Sequence, residues 1–315
     1  MGVDQNPSCS ICTKRATYLD RETGTHLCSS HLKESVEARV LSKILAAGVL
    51  LETIGIAFSG GKDSTALLVA VVALKDRIPA RVIALTVDEG IRGYREDTIH
   101  HAEEVCRKLG VEHRIISFSE IYGKNLDELM TEPTRKACTV CGILRRRALE
   151  MLAERMNIRL IATGHNQDDH AQTTLMNAFS ADLKKVFAGT GKENRFAKRI
   201  KPFASVSERE ASLYAILAGL FKDLPECPYA GDALRGEIRR LFIRFEQSHP
   251  GSMKNAADIE EKTRERLKKK VTIVPLVTCR ICGWPGSGDI CQVCTLLGPD
   301  WVIQNHPKDI DETSG

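Results

Sequence analysis

Eleven cysteines in a chain of 315 residues sort themselves by spacing. Cys9 and Cys12 form one short knuckle, CSIC, and Cys28 with His31 forms a second, CSSH, after fifteen intervening residues. Near the other end CRICGWPGSGDICQVC repeats the idea with Cys279, Cys282, Cys291 and Cys294, and glycines between the knuckles let the backbone turn. Two pairs of such ligands on tight turns are spaced as tetrahedral zinc requires, and four protein ligands leave no open position, which makes each site structural. Each set is therefore expected to hold one zinc ion.

Four cysteines remain. Cys106 falls in the stripe Ala102, Val105, Cys106, Leu109 and reads as core. Cys138 and Cys141, in ACTVCG, stand at the start of a predicted helix, where the dipole favours thiolate. Cys227 lies in LPECPYAG between Pro225 and Pro228, a segment that cannot be regular helix and is able to bring a third thiol to the pair from far away. Three thiolates are one short of a closed iron–sulfur site, which leaves one iron of a 4Fe–4S cluster open to a substrate atom such as sulfur. The same residues also suit a redox pair, Cys138 and Cys141, that forms a persulfide and then a disulfide, with Cys227 incidental. Spacing alone leaves both readings open.

A second chemistry-bearing stretch is FSGGKDST, residues 58–65, directly behind the apolar run that starts at Ile54. Gly60 and Gly61 let backbone N–H groups approach an anion, Ser59 and Ser64 offer hydroxyls, and a helix opening at Asp63 presents its positive end. The loop is not a Walker A motif. Gly61-Lys62 is followed by Asp63 where a magnesium-holding Ser or Thr is needed, and Ile56 occupies the earlier glycine position.

These groups need a scaffold. The chain, 43% hydrophobic and 27% charged, has material for one large domain with small appendages. Predicted buried strands at 54–58, 81–87, 111–118 and 159–163 alternate with predicted helices at 64–75, 96–109, 143–156 and 171–179. Such alternation implies an α/β fold, a doubly wound parallel sheet covered on both faces, with ligands beyond the carboxyl ends of the strands. The loops after Phe58, Val87 and Thr163 are then the ones to read for chemistry. Ser119 to Lys136 interrupts the pattern as a surface insertion or lid. Leu234, Ile238, Leu241, Phe242 and Phe245 share one helical face and predict a packed helix, with Arg235, Arg239, Arg240 and Arg244 on its outer side. Residues 262–270, KTRERLKKK, read as a charged helix end or connector.

Net charge is +4, but residues 180–270 hold 20 Lys/Arg against 13 Asp/Glu while residues 1–179 hold 23 of each. A regional basic excess suits a phosphate-bearing partner. The longest apolar run, Ala66 to Leu74, is far short of the roughly 20 residues that span a bilayer, and no apolar signal segment follows Met1. Asn6 stands where myristoylation of Gly2 needs Ser or Thr. A cytoplasmic protein without membrane contact is expected.

SGGKDS resembles the motif of the PP-loop ATP pyrophosphatases, which cleave ATP between the α- and β-phosphates and pass AMP to a substrate oxygen. TVDEGI (86–91), CTVCG, TGHNQDDHAQT (163–173), RIKP (199–202), ECPY (226–229) and both zinc knuckles resemble, within that group, the tRNA 2-thiouridine synthetases of archaea and their eukaryotic and thermophilic bacterial relatives. The likeness runs through nearly the whole chain in the same order. It implies an adenine nucleotide α-hydrolase-like domain at 52–270, an N-terminal zinc knuckle at 1–33, a connecting helix at 34–51 and a C-terminal zinc domain at 271–315.

The resemblance further implies that Cys138, Cys141 and Cys227 hold a 4Fe–4S cluster with one iron free for sulfide, and that Ala57, Ser59, Gly60, Gly61, Lys62, Asp63, Ser64, Val87, Gly164 and His165 bind ATP. Asp63 and Asp168 are the candidates for the magnesium neighbourhood, with Asp169 beside them. His165 and His170 read as structural histidines near the nucleotide. AMP on the uridine C2 oxygen becomes the leaving group that a sulfur nucleophile displaces. Relatives often carry lysine four residues after the second cluster cysteine; Arg145 stands there, and it can stabilise charge but not give up a proton near neutral pH. The implied partners are tRNA, a sulfur donor that is either a thiocarboxylated ubiquitin-like protein or sulfide, and a second copy of the chain. Uridine 34 is the expected target, with 54 the other choice. The rival readings are the persulfide route through Cys138 and Cys141 and a non-catalytic, zinc-bearing RNA-binding protein.

Overall fold

The computed structural model describes residues 7–48, 53–131, 135–180, 196–230, 234–267, 276–286, 288–298 and 301. Residues 268–275 lie outside them, and with them 268–270, the last three of the nine residues of the predicted connector.

Five strands build the central sheet: β3 (Thr53–Ala57), β4 (Arg81–Asp88), β5 (Glu112–Ser117), β6 (Leu160–Thr163) and β7 (Lys198–Ile200). Two more, β1 (Tyr18–Leu19) and β2 (His26–Leu27), pair antiparallel in the N-terminal knuckle. The spatial order is β5–β4–β3–β6–β7, and every pairing is parallel. The chain therefore winds outward from β3 in one direction and restarts at β6 in the other. Such a reversal opens a crevice at the carboxyl ends of β3 and β6, where open α/β sheets bind ligands.

Alternation along the strands splits the core into two layers. Ile54, Ile56, Ala84 and Ala162 face α1 (Ser29–Ala46), α2 (Lys62–Ala73) and α3 (Arg95–Leu109). On the opposite face Ile83, Leu85, Val87 and Ile161 meet α4 (Phe118–Tyr122), α5 (Leu126–Leu129) and α6 (Ala137–Arg155). The predicted strands match the observed ones to within a residue or so at each end. The helices differ more. α6 begins six residues before its predicted start, since its first turn carries the cysteines rather than an apolar stripe. α7 (Gln167–Phe179) begins four residues early, on a capping box between Asn166 and Asp169. α8 (Glu208–Leu217), capped in the same way by Ser207 and Glu210, was not predicted, and α4 and α5 occupy the segment read as an insertion or lid. Where a connecting helix is expected at 34–51, α1 covers Ser29–Ala46, starting directly after Cys28, and residues 49–51 lie outside the described ones.

One prediction is corrected by α9 (Leu234–Ser248). Only Ile238 and Phe242 of its apolar face are buried, against Ala171 and Ala257 of α7 and α10 (Ser252–Leu267), while Leu234, Leu241 and Phe245 are about half exposed. The face is wider than the groove that α7 and α10 offer. Its arginines are not uniformly outward either. Arg235 donates to Asp169 (3.2 Å), Gln172 and Thr173, and Arg239 to Glu208 (2.5 Å).

Two further strands, β8 (Val277–Thr278) and β9 (Pro285–Gly286), with α11 (Gln292–Leu297), form the C-terminal knuckle, whose Cys279, Trp284, Cys291 and Val293 share a core with α6. No described helix is long and apolar enough to cross a membrane.

Candidate active site

The glycine-rich loop lies at the carboxyl end of β3. Gly60 adopts φ +81, and a Cβ there would meet the carbonyl oxygen of Thr98 at 2.2 Å, so both conformation and space demand glycine. Ser64 Oγ donates to the Gly61 carbonyl (2.9 Å), accepts the Ser59 N–H (3.2 Å) and lies 3.1 Å from Ser59 Oγ. These bonds fold the loop into a cup. Gly61 is the N-cap of α2 and no side chain caps that helix, which leaves its first-turn N–H groups for an anion. α2 starts at Lys62, so Lys62 and Asp63 belong to its first turn.

The loop after β6 closes the other side of the crevice. A Cβ at Gly164 would approach the Asp63 carbonyl and Ser64 nitrogen at 3.1 Å, and Asn166 donates to Asp63 (3.2 Å). His165 is held by Thr163 through Nδ1 (2.9 Å); burial pushes its pKa down to about 4, so it stays neutral near pH 7. Lys62 bridges Asp63 (2.7 Å) and Glu208 (2.8 Å), and Asp168 accepts the Glu208 N–H (2.8 Å). Burial raises the Asp168 carboxyl to about 6, with Glu208 and Asp169 adding repulsion. Asp63 is raised for the same first reason, against the pull of Lys62. Carboxylates crowded at an anion-binding loop are the environment a divalent cation relieves. Ala57 and Val87 lie at the carboxyl ends of β3 and β4, the same edge.

A third cluster stands beyond β4. Cys138 and Cys141 lie in the first two turns of α6, and the turn Pro228–Ala230 packs on that helix, so that Cys227 arrives beside them; Cys138 Sγ lies 3.5 Å from the Tyr229 carbonyl. The expectation that the helix dipole favours thiolate meets a stronger effect at Cys141. Burial pushes that thiol up to about 12, against the attraction of Arg145. Burial also raises Cys227. Desolvation opposes the charge of Arg145, but Cys141 and Glu89 outweigh it and hold its pKa above the ordinary value. Three converging thiols with a neighbouring cation fit an anionic iron–sulfur cluster with three protein ligands.

Seven of the remaining cysteines, with His31, fall into two compact sets: Cys9, Cys12, Cys28 and His31, and Cys279, Cys282, Cys291 and Cys294, each with ligand atoms within 4.8 Å of one another. Zn–S bonds of about 2.3 Å in a tetrahedron put sulfurs about 3.8 Å apart; Cys12–Cys28 are 3.8 Å apart and Cys282–Cys291 3.7 Å. Both sets fit a single tetrahedral ion. All eleven cysteines are free of disulfides.

A family model described as a PP-loop domain matches residues 32–220. A tRNA 2-thiolation protein, NcsA, of Haloferax volcanii is 33% identical over 92% of this chain and 98% of its own length. The chain belongs to the PP-loop tRNA 2-thiolation family. Its relatives include a tRNA-5-methyluridine(54) 2-sulfurtransferase of Pyrococcus horikoshii, 31% identical over 96% of this chain and 98% of that protein. The solved structure of the U34-tRNA thiolase NcsA from Methanococcus maripaludis, with its [4Fe-4S] cluster, superposes with a TM-score of 0.80 at 32% identity, over 92% of this chain and 95% of that one.

Within this member of the family, three site residues escape sequence reasoning. Arg95, buried, donates to the carbonyls of Ser59 (3.2 Å) and Val87 (2.7 Å) and pairs with Glu89 (2.8 Å). Glu89, also buried, lies 3.6 Å from Arg145. Together they join the nucleotide loop to the three-thiol cluster. Glu208 completes the carboxylate group around Lys62. Glu89 stands in the quoted TVDEGI, so a signal existed; Arg95 and Glu208 carry none, because each acts through contacts distant in sequence.

Proposed function

We propose that the protein is an ATP-dependent tRNA-uridine 2-sulfurtransferase. The observation that carries this reading is the Arg95–Glu89–Arg145 bridge, which holds a pyrophosphate-type loop and a three-thiol cluster on one edge of one sheet. The uridine C2 oxygen attacks the α-phosphorus of ATP and pyrophosphate leaves; a sulfur nucleophile then attacks C2, and AMP departs with the oxygen. Ser59, Gly60, Gly61 and Ser64 hold the pyrophosphate, Lys62 meets phosphate, and Asp63 and Asp168 hold magnesium. Ala57, Val87, Gly164 and His165 surround the AMP moiety. Arg145 stabilises charge at the phosphate or at C2 and transfers no proton.

Cys138, Cys141 and Cys227 hold a 4Fe–4S cluster, which supplies an iron without a protein thiolate for sulfur delivery. The two four-ligand sets hold structural zinc. The substrate is tRNA, with uridine 34 as the target; a thiocarboxylated ubiquitin-like protein or sulfide donates sulfur to a cytoplasmic homodimer.

Anaerobic reconstitution of Cys227→Ala tests the cluster: iron binding and thiolation are both expected to be lost. Full thiolation with an intact cluster would falsify the assignment. Loss of activity in Cys138→Ala or Cys141→Ala at any iron content supports the persulfide route instead. Nucleoside mass spectrometry with fragment mapping reads position 34 against 54.

A further inference from the structure

Outside the nucleotide loop and the three thiols, a cleft of about 400 Å³ lies between α6, the edge strand β7 and the C-terminal knuckle. That volume falls in the range of small-ligand sites. Its charged lining is Arg146, Arg147 and Glu150 from α6 and Arg199 from β7. Two of the arginines are committed. Arg199 holds Glu150 through contacts of 3.0 and 2.6 Å, and Arg147 is buried against Cys291 Sγ (3.3 Å), 4.3 Å from the centre of the Trp284 ring.

Arg146 is different. It is exposed, and among the described residues no carboxylate pairs with it. Desolvation, followed by the charges of Arg199 and Arg145, pushes its pKa below the ordinary value. The lining is also aromatic: Phe196, half-buried, tilts toward Trp284 at a ring distance of 6.2 Å. Phosphate-binding arginine beside an aromatic surface is the combination that takes unstacked nucleotides. Arg146 follows Cys141 by five residues on one helix, about 7.5 Å along its axis and about 140° round it, so the cleft opens on a different flank of α6 from the thiols.

We propose that this cleft binds a nucleotide adjoining the target uridine, its phosphate on Arg146 and its base against Phe196. The inference rests on the tRNA reading above and adds a subsite to it.

The test is fluorescence anisotropy of a labelled tRNA transcript with the full-length, zinc-loaded protein, across a potassium chloride series, with melting curves to verify folding of each variant. Arg146→Ala is expected to weaken binding roughly fivefold to tenfold at low salt and to reduce the slope of log K against log salt by about one. Arg146→Lys keeps that slope. Phe196→Ala weakens binding about fivefold with the slope unchanged, because stacking releases no counterions. Folded Arg146→Ala with wild-type affinity and slope overturns the subsite while wild-type tRNA binding stands. Variants that bind tRNA normally but lose a synthetic peptide ending in a carboxylate assign the cleft to a donor tail and also overturn it. Failure of the wild-type protein to bind tRNA sinks the tRNA reading itself.

Discussion

The two four-ligand knuckles are alike in chemistry and unlike in what they support. The N-terminal set hands the chain directly to α1, with Cys28 as its N-cap, and Tyr18 and Leu27 join the core formed by α1, α2 and β3. The C-terminal set packs on α6, with Cys279, Cys291 and Cys294 in the same core as Val140 and Ile143, which flank Cys141. Arg147 of α6 reaches Cys291 and Cys282. One knuckle therefore staples the scaffold, and the other braces the helix that carries Cys138 and Cys141. A metal-ligand spacing read from sequence tells what the site binds, but only packing tells what its loss would disturb.

The largest effect is expected from breaking the C-terminal set. In Cys294→Ser, zinc should fall from two ions to one per chain. Structural zinc contributes of the order of 10 kcal/mol to folding its own site, so the knuckle should detach from α6. Iron retained after anaerobic reconstitution is expected to drop several-fold and thiolation about a hundredfold or more, as positioning at the reacting atoms is lost. Elemental analysis alongside the thiolation assay checks this. Normal iron in the one-zinc variant would show that α6 needs no brace.

How far the sequence could have shown this follows from where each signal resides. Strand positions were legible because Ile54 to Phe58 and Arg81 to Val87 are short apolar runs between polar helix starts. The metal sets were legible because their ligands come in local pairs. The beginning of α6 was not, since Cys138 and Cys141 interrupt the apolar period there. The capping box of α8, Ser207 with Glu210, is a local signal for that helix. The half-exposed face of α9 was misread as core because periodicity cannot reveal how wide a partner groove is. Arg95 and Glu89 form a bridge only after β4 and α3 bring them to Ser59 and Arg145, which no local pattern encodes.

That bridge sharpens the comparison from the scaffold side. Glu89→Gln removes a buried carboxylate that partners both Arg95 (2.8 Å) and Arg145 (3.6 Å). Because an uncompensated buried charge is costly, a lower melting temperature is expected, together with thiolation reduced about tenfold. Both zinc ions should remain, since neither knuckle touches this pair. Loss of zinc in the variant would mean that the two regions are less separate than their packing indicates.

The carboxylate group supplies a pH test of intermediate size. Asp168 is raised to about 6 by burial, with repulsion from Glu208 and Asp169. A divalent cation there must displace a proton below that pH, so apparent magnesium affinity is expected to fall about tenfold per unit as pH drops below about 6. The sign for stability runs the other way. A carboxyl whose folded pKa is raised favours the protonated protein, and that contribution is lost as pH rises through about 6. Metal-free Asp168→Asn should then melt higher than the wild-type protein at pH 7 and equally at pH 3, while its magnesium affinity loses the pH dependence. A wild-type affinity that is flat from pH 5 to 7 would remove Asp168 from the metal site.

The smallest expected effect on chemistry comes from the N-terminal set, and it decides the comparison. Cys12→Ser takes one ligand from a site whose neighbours are Tyr18, Leu27 and the start of α1, all on the layer opposite α6. Zinc should fall by one ion, as in Cys294→Ser. Weakening the anchorage of α1 costs a few kcal/mol, which corresponds to a melting temperature lower by roughly 5–10 °C in a domain of this size. Iron after reconstitution should match the wild-type protein, and thiolation at 25 °C should change by less than about twofold, because the sheet still holds the nucleotide loop and the C-terminal knuckle still holds α6. Equal loss of iron in the two variants would mean that disturbance passes through the sheet from one layer to the other, and the division into staple and brace would fail at the central strands β3 and β6.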